Sequence, residues 1–333
     1  MIKASIVVPA YNAAKTLPET LTSLLAQDAR DFEIIVVDDG STDDTAQVVA
    51  GYLHDPRVRL VRQANRGLAG ARNSGIAASR GDYIGFCDAD DIWAPVKLSS
   101  HIDHLDRSPD VGISFSGSRL IDDEGQPTGM RQSPRLKDIS AACILKRNPI
   151  GNGSAPVIRR VALRDLEYRP NFETKRPWVF DETFRQSEDI ECWMRFALST
   201  DWQIEGIPGL LTGYRINHAG LSSDLDRQLS AWERMITKLR PLAPDFFATH
   251  EDAARAYQLR YLARRAVSNL DGSLAWELSA RALSSSHRPL CEEPVKTLVT
   301  LAAAFVLHVA GPFPVQGVSR VMTRLASRQY KGI

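Results

Sequence analysis

Cysteine is scarce in this 333-residue chain, and Cys87, Cys143, Cys192 and Cys291 lie far apart with no C-x-x-C pair. Neither a zinc knuckle nor a small disulfide scaffold is expected, and reduced, cytoplasmic thiols are the simplest reading. An excess of one charge is lacking too: 41 Lys and Arg against 40 Asp and Glu leave a net charge of +1. That balance gives no electrostatic reason to expect nucleic acid as a partner, so any anion must be met locally. The N-terminal apolar run Ser5-Ile6-Val7-Val8 meets Pro9 and Asn12 before a signal-peptide core can develop, so no export signal is expected. Internal repeats and low-complexity tracts are missing. No G-x-G-x-x-G follows the first apolar run, where Pro9-Ala10-Tyr11-Asn12 stands instead, and this disfavours a nicotinamide enzyme.

What is present is a globular composition, 44% hydrophobic and 24% charged, with enough chain for one large or two moderate cores. From Ile2 to about Pro95, short apolar runs alternate with helical stretches, the pattern of βαβ units building a parallel sheet. The runs Ser5–Val8, Glu33–Val37, Val58–Val61 and Tyr83–Cys87 are continuously apolar, as for strands covered on both faces. The first helix is predicted to open at Thr16, with Glu19 completing a capping box, and the second after Ser41 or Thr42. Residues 111 to 218 read as strands extending the same sheet, with a helix at Glu188–Leu198. After Ser223 the pattern is helical and lacks a comparable polar cluster.

In such sheets ligands bind beyond the carboxyl ends of the strands, so the residues just after each run carry the chemistry. Asp38-Asp39-Gly40-Ser41 can hydrogen-bond a base or ribose, bind a metal or accept a phosphoryl group, or simply cap the next helix. Asp88-Ala89-Asp90-Asp91 packs three carboxylates into four positions, which raises pKa values unless a cation compensates. An Asp-x-Asp segment there can hold Mg²⁺ or Mn²⁺ against a diphosphate. In Asn65 to Gly75, small residues let a helix start lie close to a ligand, and Arg72 can fork onto phosphate oxygens. Glu188-Asp189 at a helix start can cap it or supply a general base. His218 is the last candidate, as a metal or diphosphate contact or as an ordinary hydrogen-bonded histidine.

Taken together, Val7-Val8-Pro9-Ala10-Tyr11-Asn12, Val36-Val37-Asp38-Asp39-Gly40-Ser41-Thr42-Asp43, Gly70-Ala71-Arg72-Asn73-Ser74-Gly75 and Asp88-Ala89-Asp90-Asp91 resemble the family 2 glycosyltransferases. These are inverting enzymes of the GT-A fold that use nucleotide-diphosphate sugars. The resemblance is close over residues 1 to 110, looser over 111 to 223 and absent from the tail. It implies an α/β fold, a Rossmann-like, mostly parallel central sheet flanked by helices, with a C-terminal helical region. A catalytic domain at 1–223 is expected, with a donor half at 1–110 and an acceptor half at 111–223, followed by a helical accessory region at 224–333.

The same resemblance implies that Pro9, Ala10, Tyr11 and Asn12 belong to the nucleotide site, with Tyr11 against the base and Asp39 on the base edge. Arg72 would touch base or diphosphate, Asp88 the ribose and diphosphate, and Asp90 the metal, Mn²⁺ or Mg²⁺, with Asp88 and His218 beside it. Asp189 takes the catalytic-base position and Glu188 helps orient the acceptor. Processive synthases of this kind carry a Gln-x-x-Arg-Trp element, which this chain lacks, so a single addition is expected. The expected partners are a nucleotide-diphosphate sugar, UDP-linked by family habit, and a saccharide or lipid-linked saccharide acceptor in cell-envelope or exopolysaccharide assembly.

Two alternatives stay open for the tail. Leu298–Val309 is strongly apolar but contains His308 and falls short of the roughly 20 residues of a span. It reads either as a buried helix or as a surface anchor in which Arg320, Arg324, Arg328 and Lys331 meet anionic lipids on the inner face of the membrane. A homodimer through this tail is equally compatible. The rival to catalysis is a non-catalytic nucleotide- or sugar-binding protein on a degenerate transferase scaffold, against which Asp39, Asp88, Asp90 and Asp189 all argue.

Overall fold

The computed structural model describes residues 2–173, 176–216 and 224–311. The chain divides into two compact units, one of residues 1–144 with 148–223 and one of 145–147 with 224–333. His218 and the basic segment from Arg320 to Lys331 lie outside the described residues.

The first unit opens as β1 (Ala4–Ala10), α1 (Leu17–Leu25), β2 (Phe32–Asp38), α2 (Thr45–Ala50), β3 (Val58–Arg62), α3 (Gly67–Ala78) and β4 (Tyr83–Phe86). These four strands pair in parallel, with Val8 opposite Val36, Val7 opposite Phe86 and Ile35 opposite Arg59. The chain continues with β5 (Ile92–Trp93), α4 (Lys97–Arg107), β6 (Val111–Ile121), β7 (Pro127–Gln132), α5 (Ala141–Lys146), whose last two residues belong to the second unit, β8 (Val157–Arg159), α6 (Arg160–Arg164), α7 (Glu188–Ser199) and β9 (Gln203–Arg215). One nine-stranded sheet results, in the order β3-β2-β1-β4-β8-β6-β9-β5, with β7 on β6. Its first half is wholly parallel, whereas β8 runs antiparallel to both β4 and β6. Two reversals restore direction, so β6 and β9 run the same way as β1 and β4. Their carboxyl ends therefore share one edge. This is the α/β architecture that the family resemblance implies.

Every residue of β1 and β2 is buried, which accounts for their largely apolar runs; Ser5 and Glu33, polar residues within them, bond each other at 2.8 Å. Ile6, Val8, Ile34 and Val36 pack with Leu17, Leu21 and Leu24 of α1 in one core cluster. On α3, Gly75 lets the helix lie against β1: a Cβ there would meet Val7 Cγ1 at 2.1 Å.

Two helix starts differ from the sequence expectation. Thr16 makes no side-chain cap on α1; its hydroxyl donates to the Ala89 carbonyl at 2.9 Å, and Glu19 accepts from Arg215 at 2.6 Å. The capping pair is used between segments instead. The second helix begins at Thr45, later than Ser41 or Thr42, because those residues cross-link the strand ends. The Asn12 amide donates to the Ser41 hydroxyl at 3.1 Å, the Thr42 amide to Asn12 Oδ1 at 2.8 Å, and the Ala14 amide to Asp43 at 3.1 Å. Asn12 sits at φ 50°, a left-handed conformation that asparagine tolerates.

The second unit contains α8 (Leu225–Leu239), α9 (Pro244–Ser268), α10 (Gly272–Ser285), α11 (Arg288–Glu292) and α12 (Pro294–Ala310). Its core joins Leu259, Leu262 and Ala266 of α9 to Ala275 and Leu278 of α10 and Ala304 of α12. Asp224 and Asp271 cap α8 and α10 by accepting from the Arg227 and Leu274 amides. Among the described residues, no helix is long and apolar enough to cross a membrane.

Gly75→Ala tests the close approach of α3 to β1. Alanine gains about 1 kcal/mol of helix propensity, but overpacking against Val7 should outweigh it and leave a net loss of about 1–3 kcal/mol in urea unfolding. A neutral or stabilised variant would show that the contact relaxes freely.

Candidate active site

The shared carboxyl edge gathers most of the residues singled out from sequence. Asp88, Asp90 and Asp91 follow β4, Glu188 and Asp189 open α7, and Tyr214 and Arg215 end β9. At the centre is Arg72, on α3, with 2% of its surface exposed. Its guanidinium donates to Asp88 at 2.9 Å and to Glu188 at 2.6 Å. A Cβ at Gly153 would lie 2.1 Å from the same guanidinium, so glycine there keeps the arginine's slot open. Burial would lower the proton affinity of Arg72, but Asp88, Glu188 and Asp189 reverse this and hold it charged. The arginine expected at the diphosphate is thus the tie between the β4 end and the start of α7.

Rigid placement of that helix start has a second source. Asn73 Oδ1 accepts from the Val179 and Phe180 amides, and its Nδ2 donates to the Phe180 carbonyl and Glu182. Glu182 also accepts from Arg66 at 2.7 Å and pairs with Arg176, which in turn donates to the Gly70 carbonyl at 2.9 Å. Arg66 also pairs with Glu173. The Gly-Ala-Arg-Asn-Ser-Gly run therefore grips the segment leading into α7 through buried, satisfied polar bonds. Arg66, Glu173, Arg176 and Glu182 were not legible as site-building residues, because their partners stand more than a hundred positions away or in irregular chain.

The nucleotide-site candidates on β1 and β2 separate by burial. Pro9 and Ala10 are buried strand residues, whereas Tyr11, just beyond, is 53% exposed. Asp39 is buried and accepts from the Arg66 amide and the Gln63 side chain at one oxygen and from the Gly67 amide at the other. It thereby anchors the start of α3, where anionic charge is favourable.

The three aspartates also divide. Asp91 is fully buried, accepts from the Arg215 amide at 2.9 Å, and burial followed by the Asp90 and Asp88 charges pushes its carboxyl well up. Asp88 and Asp90 are half-buried at the edge. Burial first, then the Asp88 charge, raises the Asp90 carboxyl to about 6, with Arg215 opposing. Arg215 clamps this turn: its guanidinium donates to the carbonyls of Asp90, Asp122 and Asp123. Behind the turn, Lys97 is fully buried, donates to the Ala155 carbonyl at 2.8 Å and Thr212 at 2.9 Å, and lies over the Trp93 ring. Burial drops its ammonium to about 7 despite the favourable charges of Cys87 and Asp91. Tyr214 faces Asp91, Asp88, Asp90 and Asp189, and its phenol is raised by burial and these charges. Lys97 does not stand out in sequence, since it is a single charge between Val96 and Leu98.

At the start of α7, burial raises the Glu188 carboxyl to about 7, Arg72 opposing and the Asp189 and Asp88 charges adding. Asp189 is raised as well, by burial and Asp88 against the pull of Arg72. Asp189 is the less buried of the two, and one of its oxygens accepts from the Ile190 amide at 2.8 Å. The donor set suits a hard divalent cation: two half-buried carboxylates side by side, with burial and then the Asp88 charge raising the Asp90 carboxyl to about 6. Among the described residues, which do not include His218, no three His, Cys, Asp or Glu side chains converge at ligating distance.

Comparisons with known proteins place the chain in a family. Residues 5–167 match the sequence profile of glycosyl transferase family 2. The Escherichia coli UDP-Glc:alpha-D-GlcNAc-diphosphoundecaprenol beta-1,3-glucosyltransferase WfaP is 36% identical over 216 residues, covering 56% of this chain and 85% of WfaP. An uncharacterized glycosyltransferase of Nostoc sp. is 36% identical over 149 residues, and the match spans 44% of this chain and 46% of that protein. The mannosyltransferase PcManGT of Pyrobaculum calidifontis, solved with GDP-Man and Mn²⁺, superposes with a TM-score of 0.58 at 20% identity over 93% of this chain and 87% of its own. The chain belongs to glycosyl transferase family 2.

Arg72→Met tests the central tie. Stranding the buried Glu188 and the half-buried Asp88 should remove about 3–5 kcal/mol of stability at pH 8. The Glu188 pKa of about 7 lies above its unfolded value of 4.5, so the neutral form favours folding below 4.5, an advantage lost as pH rises through 7. The destabilisation should therefore shrink toward about pH 5, where Glu188 takes up a proton. Urea unfolding at both pH values reads this, and a deficit independent of pH would contradict the electrostatic origin.

Proposed function

We propose that this chain transfers a sugar from a nucleoside-diphosphate donor to an acceptor hydroxyl in one displacement with inversion. The observation that carries the reading is the meeting, at one sheet edge, of Asp88 and Asp90 with the Glu188-Asp189 helix start, locked together by Arg72. The donor half is residues 1–110 and the acceptor half 111–223. Tyr11, exposed past β1, offers its ring to the base. Asp39 and Asn12, whose side chains already bond the neighbouring loops, shape that pocket.

Asp189 is the base. Glu188 is held by Arg72 and nearly sealed from solvent, while Asp189 has an oxygen left for a proton and a carboxyl raised toward the pH at which it works. As the acceptor oxygen bonds to the anomeric carbon, its proton passes to Asp189. The bond from that carbon to the β-phosphate oxygen breaks with its electron pair remaining on the diphosphate. Attack from the face opposite the leaving group inverts the configuration. Mn²⁺ or Mg²⁺, held by Asp90 with Asp88, would supply Lewis-acid neutralisation of the diphosphate charge. Holding acceptor and donor in reacting register supplies much of the remaining acceleration.

The name of WfaP specifies a glucosyl donor linked to UDP and an acceptor linked to a lipid diphosphate. A UDP-sugar and a lipid-linked saccharide in cell-envelope or exopolysaccharide assembly are accordingly the pair we assign to this chain.

Asp189→Asn should bind donor normally while kcat falls by about 10²–10⁴, and NMR of the wild-type product should show the anomer opposite to the donor. Parallel loss of donor affinity would make Asp189 a binding residue, and a retained anomer would rule out the single displacement. Asp90→Ala should lose metal-stimulated turnover without a lower melting temperature, because repulsion leaves with the ligand. Full activity at saturating donor in that variant would overturn the metal assignment.

A further inference from the structure

The helix α12 is turned with its larger apolar side outward. Val295, Leu298, Val299, Phe305 and Val309 are each more than half exposed, while Thr297, Thr300, Ala304 and Leu307 face the core of the second unit. This orientation is pinned by specific bonds. The Thr297 hydroxyl donates to the Pro289 carbonyl and accepts from Arg260 at 2.8 Å, and Arg260 also pairs with Glu293. Rolling the helix to bury its valines would break those buried polar bonds. The Trp276 ring of α10 extends the patch, 38% exposed and 5.5 Å from Phe305. Contiguous apolar surface of this kind on a folded unit marks an interaction site.

Charge selects the occupant. No Asp or Glu occurs after Glu293, whereas Lys296, Arg320, Arg324, Arg328 and Lys331 do. The apolar face is thus continuous in sequence with a segment carrying only positive charge, the combination that binds an anionic lipid surface. At 17 residues α12 spans about 25 Å, too short to cross a bilayer but long enough to lie along it. We propose that the outward face of α12, with Trp276, docks on an anionic phospholipid surface and that the basic C-terminal segment strengthens the attachment.

The test is vesicle co-sedimentation of the full-length chain with phosphatidylcholine alone and with phosphatidylcholine containing phosphatidylglycerol. It needs neither donor nor acceptor, so its failure leaves the transferase reading untouched. Binding should favour the anionic vesicles and weaken with salt. Partitioning should drop by roughly tenfold in the pair Phe305→Ser with Val309→Ser, and likewise in Leu298→Gln with Val299→Gln. Thermal melting of each variant separates lost binding from lost folding. Quenching of tryptophan emission by brominated lipid should diminish in Trp276→Phe. Absence of sedimentation, or binding that both surface pairs leave unchanged, would overturn the proposal. So would a lipid-indifferent dimer that the same substitutions dissociate, which would make this face a contact between copies of the chain.

Discussion

The Arg72 guanidinium, buried and shared between Asp88 and Glu188, is the contact on which the rest of the crevice depends. A charge in that position is costly unless it is paired and hydrogen-bonded, and here the pairing joins three elements far apart in sequence. It fixes the distance from the end of β4 to the start of α7, and so the distance between the carboxylates assigned to donor and acceptor. The surrounding sequence serves that placement. Gly153 leaves room for the guanidinium, Gly75 draws α3 onto β1, and Asn73 binds the chain that delivers α7. Gly75 in this helix is thus explained by close packing, and Gly153 outside it by the arginine's slot.

The edge around Arg72 carries more negative charge than the protein neutralises. Asp90 and Glu188 are both raised toward neutrality, chiefly by burial and then by neighbouring carboxylates. Two basic side chains hold the surrounding frame without filling the crevice: Arg215 wraps the Asp90-Asp91 turn, and Lys97 lies buried behind it. The frame is rigid, and the carboxylates at its mouth remain open to a proton or a cation. In the proposed displacement at a sugar carbon, such an arrangement would offer a basic carboxylate to the acceptor and a carboxylate pair to a cation that meets the diphosphate.

The fold of the first hundred residues was legible because each buried strand writes its own signal, an apolar run followed by polar residues at the crevice. Local periodicity also placed α7 and the helical second unit. The capping pair Thr16 and Glu19 misled in detail because tertiary partners, Ala89 and Arg215, competed successfully for the same side chains. Ser41 to Asp43 looked like a helix start for the same chemical reason that they bridge two loops: short oxygen-bearing side chains bond nearby amides in either setting. The site was legible as carboxylates and illegible as a network. Nothing local joins Arg66 to Glu182 or Arg72 to Glu188, and Lys97 stands as one charge between Val96 and Leu98. Asp39 had two readings in sequence, and the structure shows it anchoring α3 through the Arg66 and Gly67 amides.

The proposed function turns most directly on whether the carboxylate edge takes a nucleoside diphosphate with a cation. Calorimetric titration of UDP, GDP, dTDP and CDP into the protein, with Mn²⁺, with Mg²⁺ and with chelator, measures this. The account predicts saturable binding that favours one base and collapses when the metal is removed. Folded protein that binds none of the four, or binds equally well in chelator, would contradict it.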